Sequence, residues 1–207
     1  MRLPLRGRCQ LIRSAFAAAT LVTFLMAAAP AEAHPHVFID NRVTFLFDAG
    51  KVTALRLNWV FDEIFSDNLL AQFDADGDGA LDALESKALG EGVLPNLKTF
   101  NYFTYVWVDG KQLDPIAPTD FVASAENAIV TFQMKVPLPA PVDPRSQALA
   151  TEVYDREYYV EVLLAEQEPV ALENADGVPC GATVRDDTEN AYFGGYVIPQ
   201  EIALQCH

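Results

Sequence analysis

Two hydrophobic runs flank a short polar turn in the first third of the chain: Arg42-Val43-Thr44-Phe45-Leu46-Phe47, then Asp48-Ala49-Gly50-Lys51, then Val52 to Phe61. Both runs are rich in β-branched and aromatic residues, which favour strands. A turn containing Asp and Gly between two such runs is typical of a β-hairpin. The sequence therefore predicts an antiparallel hairpin here, and Val37-Phe38-Ile39 leads into its first strand.

Further short strands follow in the second half of the chain. Phe103–Val108 precedes the turn dipeptide Asp109-Gly110, and Phe121–Ala123 is followed by a second run, Ala128–Val136. The alternation of apolar residues from Glu152 to Leu164 predicts one continuous strand there. An aromatic run from Tyr192 to Ile198 comes before Pro199, and Ile202–Leu204 is placed to close the sheet. A cluster of prolines predicts a stiff connection that is not a core strand: Pro137, Pro139, Pro141 and Pro144.

The segment Asp74-Ala75-Asp76-Gly77-Asp78-Gly79-Ala80-Leu81-Asp82-Ala83-Leu84-Glu85 matches the twelve-residue calcium loop of an EF-hand. The predicted ligands are the carboxylates at loop positions 1, 3, 5, 9 and 12 and the backbone carbonyl at position 7: Asp74, Asp76, Asp78, Asp82, Glu85 and Ala80. An acidic solvated turn is the alternative, but it would need neither Gly79 at position 6 nor Glu85 at position 12. Oxygen ligands in this number favour Ca²⁺. Because the chain has one such loop, we expect calcium to stabilise the structure and not to act as a switch.

Apolar residues at helical spacing precede this loop, and Ala83–Leu89 can begin a helix after it. The predicted fold is therefore mostly β: an antiparallel β-sandwich-like domain with an EF-hand-like helix-loop-helix inserted at about residues 62–100.

Residues 1–33 have the pattern of a secretory signal peptide. Four arginines precede an apolar run from Ala15 to Ala29, and Ala31-Glu32-Ala33 supplies a cleavage site. The alternative is an uncleaved membrane anchor, but the apolar run is shorter than the roughly 20 residues that a spanning helix needs. We therefore expect an exported, periplasmic protein that consists of one domain, residues 34–207.

Without the leader, the chain has 10 basic and 28 acidic residues, a net charge of −18. Such a chain would be repelled by nucleic-acid phosphates but attracts cations. Cys180 and Cys206 are the two cysteines that remain, and in an oxidising compartment they are expected to form a disulfide. Metal ligation by these cysteines together with His207 is the competing interpretation.

Cleavage after Ala33 would place His34-Pro35-His36 at the N-terminus, with an α-amine and two imidazoles close together. Imidazole is a common ligand of Zn²⁺, Ni²⁺ and Cu²⁺. Pro35 has no N–H, so square-planar binding through deprotonated backbone amides is blocked, and a chelate of the amine with the imidazoles of His34 and His36 remains. Two surface histidines at a frayed end are the alternative. Asp62 and Glu63 are further ligand candidates, or an ordinary acidic pair at a helix start.

The leader and four motifs together resemble the ZevA-like periplasmic family. The motifs are His34-Pro35-His36-Val37-Phe38-Ile39-Asp40, Trp59-Val60-Phe61-Asp62-Glu63-Ile64-Phe65-Ser66, the Asp74–Glu85 loop and Tyr105-Val106-Trp107-Val108-Asp109-Gly110. The resemblance implies a role beside a NicO-type membrane permease in handling zinc, nickel or cobalt. It also favours His34, His36 and Asp62 as ligands.

Three functions follow as hypotheses. The first is a non-catalytic periplasmic protein that binds or delivers a transition metal and carries a structural calcium ion. The second is a copper-binding protein or enzyme with a brace at an N-terminal histidine, which would need a face of exposed aromatic residues. The third is a calcium-stabilised interaction module in which the histidines are incidental. The sequence contains no Gly-x-Ser-x-Gly elbow and no phosphate-binding loop.

Overall fold

A computed structural model describes residues 35–175 and 177–207. The predicted leader, residues 1–33, and His34 lie outside the described residues. Two β-sheets and one helix pair surround a continuous apolar core in this part of the chain. None of the described helices is long and apolar enough to cross a membrane.

The predicted hairpin is confirmed and supplies the centre of the larger sheet. It consists of β1 (Val37–Asp48) and β2 (Lys51–Phe61), which pair antiparallel. Ala49 and Gly50 both have positive φ, at 47° and 76°, as a two-residue hairpin turn with the twist of its strands requires. Side chains alternate between the core and the outer face, so the core receives Val43, Phe45 and their neighbours at every second position.

The larger sheet is mixed, which corrects the prediction of a purely antiparallel fold. Its strand order is β5 (Thr119–Glu126), β6 (Ile129–Val142), β2, β1, β8, and β9 also pairs with β1. Both β8 (Val160–Leu164) and β9 (Val170–Glu173) run parallel to β1, one after the other along the same strand. Residues 165–169 connect the two strands. Both lie more than 100 residues after β1 in the sequence, so alternation within each strand does not reveal this pairing.

The smaller sheet has the order β10-β11-β7-β3-β4, in which β7 is Leu149–Val153. The first and last pairs are hairpins: β3 (Thr104–Val108) with β4 (Lys111–Gln112), and β10 (Cys180–Asp186) with β11 (Gln200–Cys206). The predicted turn at Asp109-Gly110 and the closing strand at Ile202–Leu204 are therefore confirmed.

The predicted continuous strand from Glu152 to Leu164 is wrong. It is divided into β7 (Leu149–Val153) in the smaller sheet and β8 in the larger one. The buried side chain of Asp155 causes the break, because its carboxylate accepts hydrogen bonds from the backbone N–H groups of Glu157, Tyr159 and Val160. A side chain that bonds its own backbone competes with a strand in this way. The aromatic run Tyr192–Ile198 is likewise not a strand and contains a short 3₁₀ turn, Phe193–Gly195.

The prediction of a stiff connection at the proline cluster is also wrong, because β6 (Ile129–Val142) continues through three of its prolines. Pro137, Pro139 and Pro141 occupy alternate positions, so their missing N–H groups all fall on one edge of the strand. The described pairing of β6 with β5 (Thr119–Glu126) ends at Lys135, whereas β2 continues alongside β6 as far as Val142. The prolines therefore lie where the strand has a partner on one side.

A helix-loop-helix lies between β2 and β3, as predicted. It consists of α1 (Glu63–Phe73), the loop, and α2 (Ala83–Leu97), followed by an irregular 3₁₀ segment, Lys98–Phe103. Two buried serines join it to the sheet. Ser66 Oγ accepts the backbone N–H of Val130 at 3.0 Å, and Ser86 Oγ accepts the backbone N–H of Ala123 at 2.7 Å.

Replacing Ser86 with alanine would leave the buried N–H of Ala123 without its partner. We expect the substitution to lower the free energy of unfolding by about 1–3 kcal/mol, measured by denaturant unfolding followed by circular dichroism. Ser124→Ala on the same strand is the control, since that side chain is exposed and its loss should change stability by less than about 0.5 kcal/mol. Equal stability of the two variants would show that the serine contact does not hold α2 against β5.

Candidate functional site

The acidic loop between α1 and α2 collects three of its predicted ligands. Asp74, Asp76 and Asp78 each offer a carboxylate oxygen, and these oxygens lie within 4.8 Å of one another. A calcium ion binds oxygens at about 2.3–2.6 Å, so one ion can contact all three. Among the described residues, no lysine or arginine forms a salt bridge with them. The donor set therefore fits a hard divalent cation.

Backbone N–H groups shape this loop around Asp74. Its carboxylate accepts N–H groups from Gly77 at 2.7 Å, Asp78 at 3.3 Å and Gly79 at 2.9 Å. Gly77 and Gly79 have φ values of 73° and 81°, in the left-handed region where glycine carries no steric cost. The glycine at loop position 6 is thus required by the backbone conformation.

The last two predicted ligands with side chains are also engaged at the start of α2. Asp82 Oδ1 accepts the N–H groups of Leu84 and Glu85, and Glu85 Oε2 accepts the N–H of Asp82, which together form a capping box. The other oxygen of Glu85 accepts the N–H of Ala75 at 2.7 Å. Glu85 thus connects the two ends of the loop, while Asp82 is directed at the helix terminus.

The loop carboxylates influence one another electrostatically. The N–H of Gly79, followed by those of Gly77 and Asp78, lowers the pKa of Asp74 despite partial desolvation. A hydrogen bond from the N–H of Asp78 also lowers the pKa of Asp76, but the charges of Asp78, Glu85 and Asp74, together with desolvation, outweigh it and raise the pKa overall. A cation would relieve this repulsion among like charges.

His36 is held at the start of β1. Its backbone N–H donates to the carbonyl of Tyr159 at 2.8 Å, and the two rings lie with centroids 4.9 Å apart. The imidazole is exposed and accessible to an ion. His34, the other predicted histidine ligand, falls outside the described residues.

Asp62 connects this segment to the helix pair. Its Oδ2 accepts the N–H of Phe38 at 2.8 Å, and its Oδ1 caps α1 by accepting the N–H of Phe65 at 2.9 Å. The backbone N–H of Asp62 also donates to the carbonyl of Phe38 at 3.1 Å. Asp62 therefore has the helix-start role that is the alternative to metal ligation.

The cysteines lie in the smaller sheet, at the first residue of β10 and the last residue of β11. Cys180 and Cys206 are joined by a disulfide and face each other across β10 and β11. The backbone N–H of His207 donates to the carbonyl of Pro179. Bonded sulfurs are not available as thiolate ligands, so the structure does not support a site formed by these cysteines with His207.

Sequence reasoning missed a second group of carboxylates, formed by Glu152, Asp187 and Glu201. One oxygen from each lies within 4.8 Å of the other two. The residues are far apart in the sequence and meet only through the register of the smaller sheet. Burial, and then a hydrogen bond with Asp187, raise the pKa of Glu152 to about 8. The pKa of Asp187 is lowered, because that hydrogen bond and the N–H of Glu189 outweigh its own desolvation.

The described residues define a class of two-sheet β protein in which a helix pair, inserted after the first hairpin, carries an acidic loop. The chain belongs to the family described as "Protein of unknown function (DUF1007)", which matches residues 19–193.

This chain aligns with two relatives over most of the length of each relative. An uncharacterized 15.5 kDa protein in the trpE 3′ region of Spirochaeta aurantia is 33% identical over 131 residues, 63% of this chain and 93% of the relative. An uncharacterized protein of Haemophilus influenzae is 25% identical over 193 residues, 84% of this chain and 91% of the relative. Neither description states a function.

Stability should depend on pH through Glu152. Because its pKa is raised to about 8 in the folded protein from an ordinary value of 4.5, its contribution is complete below pH 4.5 and is lost as the pH rises through 8. In EDTA, we expect the free energy of unfolding to fall by roughly 1–3 kcal/mol between pH 5 and pH 9.

Glu152→Gln should remove most of this dependence, and Glu189→Gln, an exposed neighbour, should retain it. Denaturant unfolding at several pH values measures both variants. A Glu152→Gln profile that falls as steeply as the unmodified protein would assign the pH dependence to another group.

Proposed function

We propose that this protein is an exported, periplasmic metal-binding accessory protein of the ZevA-like type. In this proposal Ca²⁺ binds the Asp74–Glu85 loop and stabilises the helix pair. A transition-metal ion, zinc in the first place and nickel or cobalt as alternatives, binds at the segment His34-Pro35-His36. The protein would present that ion to an inner-membrane permease of the NicO type.

The observation that carries the proposal is the fixed position of His36. The backbone N–H of this residue is bonded to Tyr159, and two residues further on Phe38 is bonded to Asp62. A frayed end would have neither contact. These contacts support an ordered segment over a frayed one, and in this proposal the amine and imidazole of His34 would be the further ligands.

One helix, α1, connects the proposed calcium loop to the histidine segment. Asp62 caps the start of α1, and Asp74, the first loop carboxylate, follows its last residue. An 11-residue helix is roughly 16 Å long. Calcium bound in the loop would therefore stabilise the C-terminal end of α1. The N-terminal end of the same helix is capped by Asp62, which also bonds β1 at Phe38, two residues after His36.

A copper-binding protein or enzyme is the second candidate, and one specific observation favours it. Aromatic side chains are exposed around His36: Tyr159 is 57% exposed and Phe38 is 44% exposed. A copper brace that acts on a substrate would need such a face. We expect no catalysis, and the identity of the preferred ion separates the two candidates.

Calcium should stabilise the protein through the loop. Extracellular sites of this kind bind with a dissociation constant of about 10⁻⁴–10⁻³ M, so about 10 mM Ca²⁺ should raise the free energy of unfolding by roughly 1.4–2.7 kcal/mol. Glu85→Gln should abolish most of this gain in thermal unfolding. Glu91→Gln on the same helix is the control and should retain the gain. A calcium effect that survives both Glu85→Gln and Asp76→Asn would place the site elsewhere.

The N-terminal site should require an unextended terminus. On protein exported through its own leader, we expect elemental analysis and calorimetry to find one Zn²⁺, Ni²⁺ or Cu²⁺ per chain. His36→Ala, or one additional residue before His34, should weaken binding by at least about tenfold, or 1.4 kcal/mol. His207→Ala, which changes the third histidine, should not. Binding of calcium alone would refute transition-metal handling and would favour an interaction module stabilised by calcium.

A further inference from the structure

We infer that the outer face of the smaller sheet carries a site for a hard divalent cation such as Mg²⁺, Mn²⁺ or Ca²⁺, formed by the carboxylates of Glu152, Asp187 and Glu201. These three residues, called the acidic triad below, are separate from the calcium loop and from the histidine segment. The inference does not depend on the function proposed above.

The register of the sheet places two of the acids side by side. In the pairing of β11 with β7, Ile202 lies opposite Thr151. Glu201 therefore falls opposite Glu152 on the other face. Like charges directly opposite each other on a sheet are destabilising. Asp187, which is buried and precedes the 3₁₀ turn Thr188–Asn190, adds a third carboxylate above this pair.

Glu152 supplies the independent sign of a missing ligand. Its side chain is fully buried, at 0% exposure, and no N–H or hydroxyl group among the described residues donates to its Oε2, so that without an ion this oxygen can only share a proton with the carboxylate of Asp187. Its Oε1 has one long contact, at 3.4 Å from Nδ2 of Asn190. A buried carboxylate oxygen without a partner is costly, and a cation within the triad would satisfy it.

The only described salt bridge to the triad is made by Arg185, and it involves Glu201 alone. Nε donates to Oε1 at 2.7 Å and Nη2 donates to Oε2 at 2.9 Å. One guanidinium thus orients Glu201. Nδ2 of Asn190 and the N–H of Glu189 orient Asp187 at 3.0 Å each. The triad is held in place by its neighbours, but its negative charge is only partly compensated.

The dimensions and the access route both suit an ion. Two oxygens bound to the same hard cation at about 2.1–2.6 Å lie at most about 5 Å apart, and the three triad oxygens are within 4.8 Å of one another. A cavity of about 400 Å³ is lined by Asp187, Glu201, Asn190 and Arg185. An ion can therefore approach from this side. Oxygen ligands alone favour a hard cation over one that prefers imidazole or thiolate.

Mn²⁺ is the probe that tests this site, because it is hard and paramagnetic. The parent protein is the exported chain with Asp76→Asn and Glu85→Gln, which disable the calcium loop. At a fixed pH of 7.5, we expect calorimetry and electron paramagnetic resonance to detect Mn²⁺ at the triad. Glu152→Gln should weaken it by at least about tenfold, and Glu189→Gln, exposed beside the same cavity, should change it by less than about twofold.

All variants carry the same two loop substitutions and the same histidines. Any weak Mn²⁺ binding at the histidines is therefore equal in all of them and does not affect the comparison. Asp187→Asn provides a second variant with the same expectation if Glu152→Gln does not fold by circular dichroism. An anomalous-scattering peak for Mn²⁺ between the triad carboxylates in crystals of the parent would establish the site directly. Three results would each overturn the inference: no Mn²⁺ binding by the parent, equal binding after Glu152→Gln or Asp187→Asn, or a peak elsewhere. A proton shared between the carboxylates would then explain how the folded protein accommodates the triad.

Discussion

The hydrogen bonds of the Asp62 carboxylate are the interaction on which the contact between the start of β1 and the helix pair depends. One oxygen accepts the N–H of Phe38 at the start of β1, and the other accepts the N–H of Phe65 at the start of α1. Because each bond involves a charged acceptor, each is stronger than a neutral hydrogen bond. A single side chain therefore joins the second residue of β1, two residues after His36, to the first turn of the helix pair. The buried serines Ser66 and Ser86 then hold both helices against β5 and β6.

Local signals made the first hairpin and the helix-loop-helix predictable. The hairpin has alternating apolar residues on both sides of a two-residue turn, and the loop has carboxylates and a glycine at fixed spacing over twelve residues, so both are encoded by residues that are close in the sequence. The parallel pairing of β8 and β9 with β1 was not predictable, because it depends on contacts between segments more than 100 residues apart. The break at Asp155 could not be predicted from alternation either, since a side chain and not the apolar pattern ends the strand.

The same long-range dependence explains why one acidic group was predicted and the other was not. Asp74, Asp76 and Asp78 lie within five consecutive residues and are exposed or half-buried, and Asp74 accepts backbone N–H groups of its own loop. Glu152, Asp187 and Glu201 come from three separate elements, and Glu152 is buried within an apparently ordinary strand pattern. The signal available in the sequence is an acidic residue at a strand position between apolar residues, because acids are almost never fully buried without a partner.

The backbone of the histidine segment limits which ions it can bind. Pro35 has no N–H, and the N–H of His36 is bonded to the carbonyl of Tyr159. Neither residue can therefore supply a deprotonated backbone nitrogen without breaking a contact of the fold. Nickel and square-planar copper would lose the ligands that usually hold them at a peptide terminus, whereas zinc binds through side chains in tetrahedral geometry. If the segment binds a transition metal as proposed, its backbone thus disfavours binding through deprotonated amides and leaves zinc, or copper in a brace, to bind through the imidazoles and the α-amine.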